Sequence, residues 1–373
     1  CSSYHWHEFR EKIDPAAYAN SPYAIRPVQN ISISRNSPSG KDGKILPSDN
    51  RPKQSRMLDF ASIPNYDRSK IEVIRSRLRK LDAKIGGFNK GELSVWSGSN
   101  ASGKSTLVNQ LGLAAITEGY KVAVFSGEMT ASRVRDCVLR QAAGPENVEL
   151  DKLNSNHYCL KPGIEQKLDA MLAGRLSIYD NDFGTDWEVV LHTLYNWIKQ
   201  NNAAVAIIDN MMALDIPHVS MLDKYDMQTR IVKRFSAIAK ELNIHVHFIC
   251  HPRKTEAFPR KGDISGTGDI TNVADNVFMV HRVNVDFMGR YKTVYPKLEI
   301  PPGAGNTIEI MKNRDLGVVD EMIVLYFDKR SRTMSDVKGL PPQHAWSEKL
   351  DQVMLEECSL MEGIEVPGGF KYV

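Results

Sequence analysis

The chain has 373 residues, 42% hydrophobic and 25% charged, with a formal net charge of +3. That balance excludes a wholly disordered polypeptide and leaves room for one large core or two modest ones. No run approaches the ~18 consecutive apolar residues of a membrane span, and no signal-peptide core opens the chain, so no membrane partner is expected. The five cysteines, Cys1, Cys137, Cys159, Cys250 and Cys358, lie far apart with no C-x-x-C pair. They point to reduced thiols and an intracellular setting, cytoplasmic or organellar, rather than to a disulfide or zinc framework.

Residues 1–66 are rich in Ser, Pro, Asn and Lys and show little periodicity, which predicts a basic, poorly ordered arm or the remnant of an upstream domain. Residues 1–84 carry 16 Lys/Arg against 9 Asp/Glu, a net of +7, leaving −4 for the remainder of the chain. Such an arm suits nucleic acid as well as it suits plain solvation. Cys1, His5 and His7 lack a second cysteine pair and read as incidental rather than as a metal site. The chain opens on Cys1 rather than Met, so it reads as possibly a fragment of something longer.

Over 67–85, Ile71, Ile74, Leu78, Leu81 and Ile85 recur at alternating three- and four-residue spacing, with Asp67 or Ser69 available as N-cap and Gly86-Gly87 as a stop. The pattern predicts an amphipathic linker helix. It either folds back on its own domain or docks on a neighbouring subunit, and docking is the reading adopted.

From residue 91 the rhythm becomes apolar strand, turn, helix. Strands are expected at Leu93–Trp96, Val122–Ser126, Val205–Asp209, Val246–Cys250, Asn276–Val280, Thr307–Met311 and Met322–Phe327. Helical patterns follow the first four, which argues for an α/β domain over 86–335 with a mainly parallel sheet and later antiparallel additions. Residues 336–373 read as a tail without a core of its own.

The sharpest motif is "GSNASGKST", comprising Gly98, Ser99, Asn100, Ala101, Ser102, Gly103, Lys104, Ser105 and Thr106, placed between a strand and a helix. Its glycines let backbone N–H groups close around phosphate oxygens; Lys104 reaches the β/γ-phosphates and Ser105 ligates Mg²⁺. "AAVAIIDN" delivers Asp209 at a strand end, where a carboxylate can serve the same metal. "VAVFSGEM" brings Glu128 to the edge where phosphates lie, suited to polarising an attacking water. "HVHFICHPRK" ends with His251, a polar group fit to sense the γ-phosphate, and leads into a loop bearing Arg253, Lys254, Arg260 and Lys261, a candidate DNA contact. In "IEIMKNRDLG", strand alternation sends Lys312 and Arg314 to one side of the sheet, beside the turn at Gly317.

Taken in order, "GGFNKGELSVWSGSNASGKST", "FSGEM", "AIIDN", "FICHPRK", "GTGDITNVADNVFMVHR" and "MKNRDLG" resemble the superfamily 4 hexameric replicative helicases, which include phage primase-helicases, Twinkle-type and DnaB-like enzymes. The resemblance spans about residues 67–330. It implies a RecA-like P-loop NTPase core using ATP or another NTP with Mg²⁺, and a ring, hexameric by analogy, that translocates 5′ to 3′ on single-stranded DNA and opens forked duplex. It further implies Glu128 as catalytic base, Asp209 on the metal, His251 as γ-phosphate sensor, and Lys312 with Arg314 reaching the nucleotide of the adjacent subunit, Arg314 as arginine finger. Arg282 and Phe327 fall where relatives sandwich the base. DnaB-type relatives usually carry Gln at the sensor, so His251 leans toward the phage and Twinkle branch.

The stretch between Val283 and Thr307 is longer than the compact phage version. No primase domain is visible, so priming implies further sequence or a primase or polymerase partner. Two alternatives stay open: a RadA-like recombination ATPase, whose K-N-R-F-G motif resembles "KNRDLG", and an ATP-switched DNA-binding ring with little unwinding. Against the first, no four-cysteine module precedes the P-loop and residues 336–373 are too short for that family's protease-like domain. Glu128 weighs against the second.

Overall fold

The computed structural model describes residues 58–63, 65, 67, 70–153, 157–216, 221–252, 258–264, 268–344 and 346. The chain divides into two units, residues 1–65 and 66–373. The described part of the first contains one 3-10 turn, Phe60–Ser62, closed by Ser62 N–H donating to the Asp59 carbonyl at 2.9 Å. Cys1, His5 and His7 lie outside the described residues, as does most of the basic arm.

The second unit opens with β1 (Val73–Ile74), α1 (Arg79–Ile85) and β2 (Phe88–Asn89), β1 and β2 pairing antiparallel. The single helix expected over 67–85 is therefore a correction. Arg77 takes a positive φ of 59°, and both Asp82 carboxylate oxygens accept backbone N–H groups, from Ser76 at 2.9 Å and Arg77 at 3.2 Å. Those contacts hold residues 75–78 out of the helix, which begins only at Arg79. Ile74, Leu78, Leu81 and Ile85 are each at most 2% exposed within this chain's own core. The stripe folds back, and those four side chains are not a surface for a neighbour.

The main body alternates β3 (Leu93–Ser97), α2 (Lys104–Thr117), β4 (Val122–Ser126), α3 (Ala131–Ala143), the hairpin β5 (Val148–Leu150) with β6 (Tyr158–Leu160), α4 (Ile164–Leu172), β7 (Leu176–Ile178), α5 (Trp187–Asn201), β8 (Val205–Asp209), α6 (Met221–Leu242) and β9 (His245–Ile249). There follow α7 (Gly268–Val273), β10 (Asn276–Arg282), α8 (Val285–Arg290), β11 (Asn306–Asn313), β12 (Glu321–Asp328) and β13 (Thr333–Ser335). One nine-stranded sheet runs β13-β12-β11-β10-β3-β9-β8-β4-β7. Strands from β10 to β7 are parallel and β11 to β13 are antiparallel additions, so all seven expected strands form. Strands β3, β4, β8 and β9 are buried throughout, because helices cover both faces. Leu107, Val108 and Leu111 of α2 and Val134 and Val138 of α3 pack one face; Val190, Leu194 and Ile198 of α5 and Ile231, Phe235 and Ile238 of α6 pack the other.

Two further stretches differ from expectation. The tail that reads as coreless is anchored in its described part: Trp346 Nε1 donates to the Ala142 carbonyl at 2.8 Å and stacks on buried His344. The long segment after β10 brings Phe287 and Tyr291 into a small core with Phe258 from the stretch after β9, and is entered through Asn284, whose side chain accepts the Phe287 N–H at 2.8 Å. Among the described residues no helix is long and apolar enough to cross a membrane.

Candidate nucleotide site

The sheet order brings the chemistry together. Because β10, β3, β9, β8 and β4 are neighbours and parallel, the P-loop after β3, His251 after β9, Asp209 at the end of β8 and Glu128 after β4 emerge side by side at the strands' C-terminal edge. They line one cavity of about 1150 Å³ with Ser99, Asn100, Ala101, Gly103, Lys104, Ser105 and Thr106.

The loop's shape depends on two glycines. Gly98 has φ 147°, and a Cβ there would lie 2.2 Å from the Val280 carbonyl oxygen; Gly103 has φ 91°, and its Cβ would lie 2.5 Å from Met334 Cε. A side chain at Gly98 would have to displace the β10 backbone, and one at Gly103 would push the Met334 side chain aside from a left-handed backbone that disfavours any Cβ. Asn306 of β11 secures the loop from outside, donating to the Ser102 carbonyl at 2.8 Å. Lys104 folds over the loop it serves, its Nζ donating to the Gly98 and Ser99 carbonyls at 2.7 and 2.9 Å. Burial lowers its pKa, with Asp209 and Glu128 opposing the shift.

Asp209 is 3% exposed and its Oδ1 has no hydrogen-bond partner among the described residues. Burial pushes its carboxyl up to about 6; a hydrogen bond from Ser105 resists, nearby Glu128 adds, and Lys104 and His251 subtract. A buried, partnerless carboxylate oxygen beside a hydroxyl is the donor set a hard divalent cation completes. The residues present therefore fit a magnesium ion held between Ser105 and Asp209 and a nucleotide's phosphates in the loop. Glu128 Oε1 lies 2.5 Å from Asn210 Nδ2 and 3.2 Å from His251 Nε2, so carboxylate and imidazole share one donor.

Other expected positions lie elsewhere. Lys312 of β11 and Arg314, in the turn just beyond the strand's end, both reach the C-terminal end of α7 rather than this cavity. Lys312 Nζ donates to the carbonyls of Thr271, Asn272 and Ala274 at the end of α7, and Arg314 pairs with Asp275 at 2.6 Å. Burial, then the Arg314 and Lys261 charges, bring the Lys312 ammonium down to about 8. Arg282 and Phe327 are not among the residues lining this cavity. By β register Arg282, Asn306, Leu325 and Phe327 share one sheet face behind the P-loop. The wall beyond Thr106 is instead Cys137, Gln141 and Arg332, with Gln141 Nε2 donating to the Thr106 and Arg332 carbonyls.

Arg253 and Lys254 lie outside the described residues, and Lys261 opens a 3-10 turn, Lys261–Asp263. Arg260 is ion-paired within the chain, its guanidinium meeting Glu309 at 3.2 Å and Asp320 at 2.9 Å. Glu309 is fully buried and also accepts from Tyr295 at 2.6 Å and meets His281 at 2.8 Å, so Arg260 ties the loop's base to the segment after β10. Three cavity residues escaped motif reasoning. Asn210 had only its place after a strand-tip Asp as a signal, Arg332 sits in the turn between β12 and β13, and Arg290 ends α8, ion-paired with Asp286.

A P-loop at the tip of a central parallel strand, with acidic groups at the tips of β8 and β4, defines a RecA-like ATPase domain. Solved structures sharing the fold include the ATPase domain of G40P, at TM-score 0.56 and 15% identity over 71% of this chain and 91% of that one. Another is a DnaB-like replicative helicase described with its primase interactions, at TM-score 0.55 and 16% identity over 70% and 61%. Residues 73–335 match the DnaB-like helicase C terminal domain, and the chain belongs to that family. Replicative DNA helicase DnaB of Helicobacter pylori strain 26695 is 22% identical over 227 residues, 58% of this chain and 46% of that protein. The DnaB of Rickettsia bellii is 25% identical over 229 residues, 56% and 45%. The chain thus spans about half the length of the curated relatives it matches. These relatives are bacterial; the leaning toward the phage and Twinkle branch rests on His251 alone.

Proposed function

We propose that the chain is the motor of a ring-forming, ATP-dependent replicative DNA helicase that moves on single-stranded DNA, 5′ to 3′ by analogy with its family, and separates forked duplex. One observation carries the reading: the P-loop, Asp209, Glu128 and His251 border a single cavity, whereas Lys312 and Arg314 lie outside it. The cavity has a cradle, a metal donor pair and a base, with Lys104, Arg290 and Arg332 as its own bordering cations, and a neighbouring subunit can add a further cation for the developing charge in trans.

In this reading backbone N–H groups of residues 99–106 and the Lys104 ammonium bind the β/γ-phosphates, and Ser105 with Asp209 hold Mg²⁺. Glu128 orients the attacking water and accepts its proton; His251 faces the γ-phosphate. Arg314, seconded by Lys312, serves the next subunit's nucleotide, so an isolated subunit hydrolyses slowly. Lys261, with Arg253 and Lys254, contacts the DNA backbone, and a primase or polymerase is the expected partner inside the cell.

The test is unwinding of a forked duplex by the wild-type chain and by Glu128→Gln. Strand separation by the first and not the second is expected. DNA-stimulated hydrolysis without strand separation would sink the helicase assignment and favour an ATP-switched ring.

A further inference from the structure

Asn210 follows Asp209 at the tip of β8, is 1% exposed, and closes the "AIIDN" motif without having been given a role there. Its carboxamide oxygen accepts the Met212 N–H at 2.8 Å, which fixes the amide with Nδ2 toward the cavity. From there Nδ2 reaches Glu128 Oε1 at 2.5 Å and His251 Nε2 at 2.9 Å. An amide nitrogen carries two hydrogens, so both contacts are donated at once. His251 Nε2 is then an acceptor, and the ring hydrogen sits on Nδ1. Glu128 Oε1 and His251 Nε2 are two acceptors only 3.2 Å apart, with one donor nitrogen between them.

We propose that Asn210 is a positioning residue that holds Glu128 and His251 together as two acceptors. It selects the His251 tautomer and keeps the second Glu128 oxygen turned to the cavity. The inference rests on Glu128 as the base of the proposed hydrolysis. Remove the amide donor and a neutral His251 can move its hydrogen to Nε2 and donate straight to Glu128. That contact closes on the carboxylate that should receive the water's proton, with no change in net charge. Lys104, Asp209, Arg290 and Arg332 are the other charged groups bordering the cavity.

The test uses the full chain with Asn210→Asp, which keeps the shape and the acceptor for Met212 N–H but replaces the NH₂ donor with oxygen. Asn210→Ala removes the donor without adding charge. Both should lower kcat for ATP hydrolysis by ~10²-fold or more while KM changes by no more than about threefold. Binding of ADP, read by fluorescent-nucleotide displacement, should stay near wild type, and affinity for ADP with aluminium fluoride should fall in step with kcat.

The inference is overturned if both variants hydrolyse at the wild-type rate, or if KM rises while kcat holds. It is equally overturned if both lose ADP binding together with their thermal midpoint, since that marks a purely structural residue. Glu128→Gln assayed in parallel separates the two claims. Retained hydrolysis there refutes the base assignment itself, whereas hydrolysis lost in Glu128→Gln and normal in both Asn210 variants refutes only the positioning role.

Discussion

Asp209→Asn should stabilise the nucleotide-free protein while removing the proposed metal donor. Burial raises the Asp209 carboxyl from its ordinary 3.8 to about 6. At ~1.4 kcal/mol per pH unit, holding the ion in that site costs roughly 3 kcal/mol above pH 6. The sign follows from proton counting. Below pH ~4 both folded and unfolded chains carry the proton and the group is neutral to stability; between ~4 and ~6 the folded chain binds more protons, so unfolding free energy falls as pH rises. An asparagine is never ionised, though its N–H replaces an oxygen without a partner, which offsets about 1 kcal/mol. The variant should therefore exceed wild type by about 2 kcal/mol at pH 8 and fall slightly below it at pH 4. Urea denaturation with EDTA present reads both values. Equal stability at pH 8, or a difference that does not shrink on acidification, would refute the buried-charge argument.

Three further outcomes are expected. Arg314→Ala should bind nucleotide normally but lose DNA-stimulated turnover; it should also lose about 1–2 kcal/mol of stability, because Asp275, 5% exposed, is left with one fewer donor. Normal turnover in that variant contradicts the finger assignment. Glu309→Ala should lower the thermal midpoint by the equivalent of roughly 2–3 kcal/mol through loss of the Arg260, Tyr295 and His281 contacts, with ADP affinity unchanged by fluorescence titration. Gly98→Ala should abolish nucleotide binding in the same titration, since its Cβ meets the Val280 carbonyl; wild-type affinity there would mean that the loop does not need its present path.

The β-rich framework was legible because strands buried on both faces read as continuous apolar runs, as Val122–Ser126 and Val205–Asp209 do. The P-loop was legible because its glycines are demanded by close backbone approach rather than by taste in composition. The linker was not. Its three- and four-residue spacing fits one long helix, and only a carboxylate from inside α1 holding the N–H groups of Ser76 and Arg77, with β2 pairing from beyond the helix, decides otherwise. Both contacts require the folded chain. The Arg260 ion pair was not legible for a related reason: its buried partner Glu309 lies some fifty residues later in sequence and comes beneath the loop only in the folded chain. Asn210 carried no charge and so attracted no notice, although hydrogen-bond geometry, not charge, is what it contributes.

Lys312 has a mechanical consequence. An ammonium has three hydrogens, and Lys312 places all three on carbonyls at the C-terminal end of α7, where Arg314 also donates to Asn272 and Ala274. Drawing Lys312 away toward an outside anion forfeits its three donated hydrogen bonds at about 1 kcal/mol each, less what Arg314 still supplies to Asn272 and Ala274, a bias of at most roughly 3 kcal/mol toward return. The side chain is sprung. In the proposed trans contact, Lys312 therefore reaches its neighbour's nucleotide against the pull of its own subunit's α7.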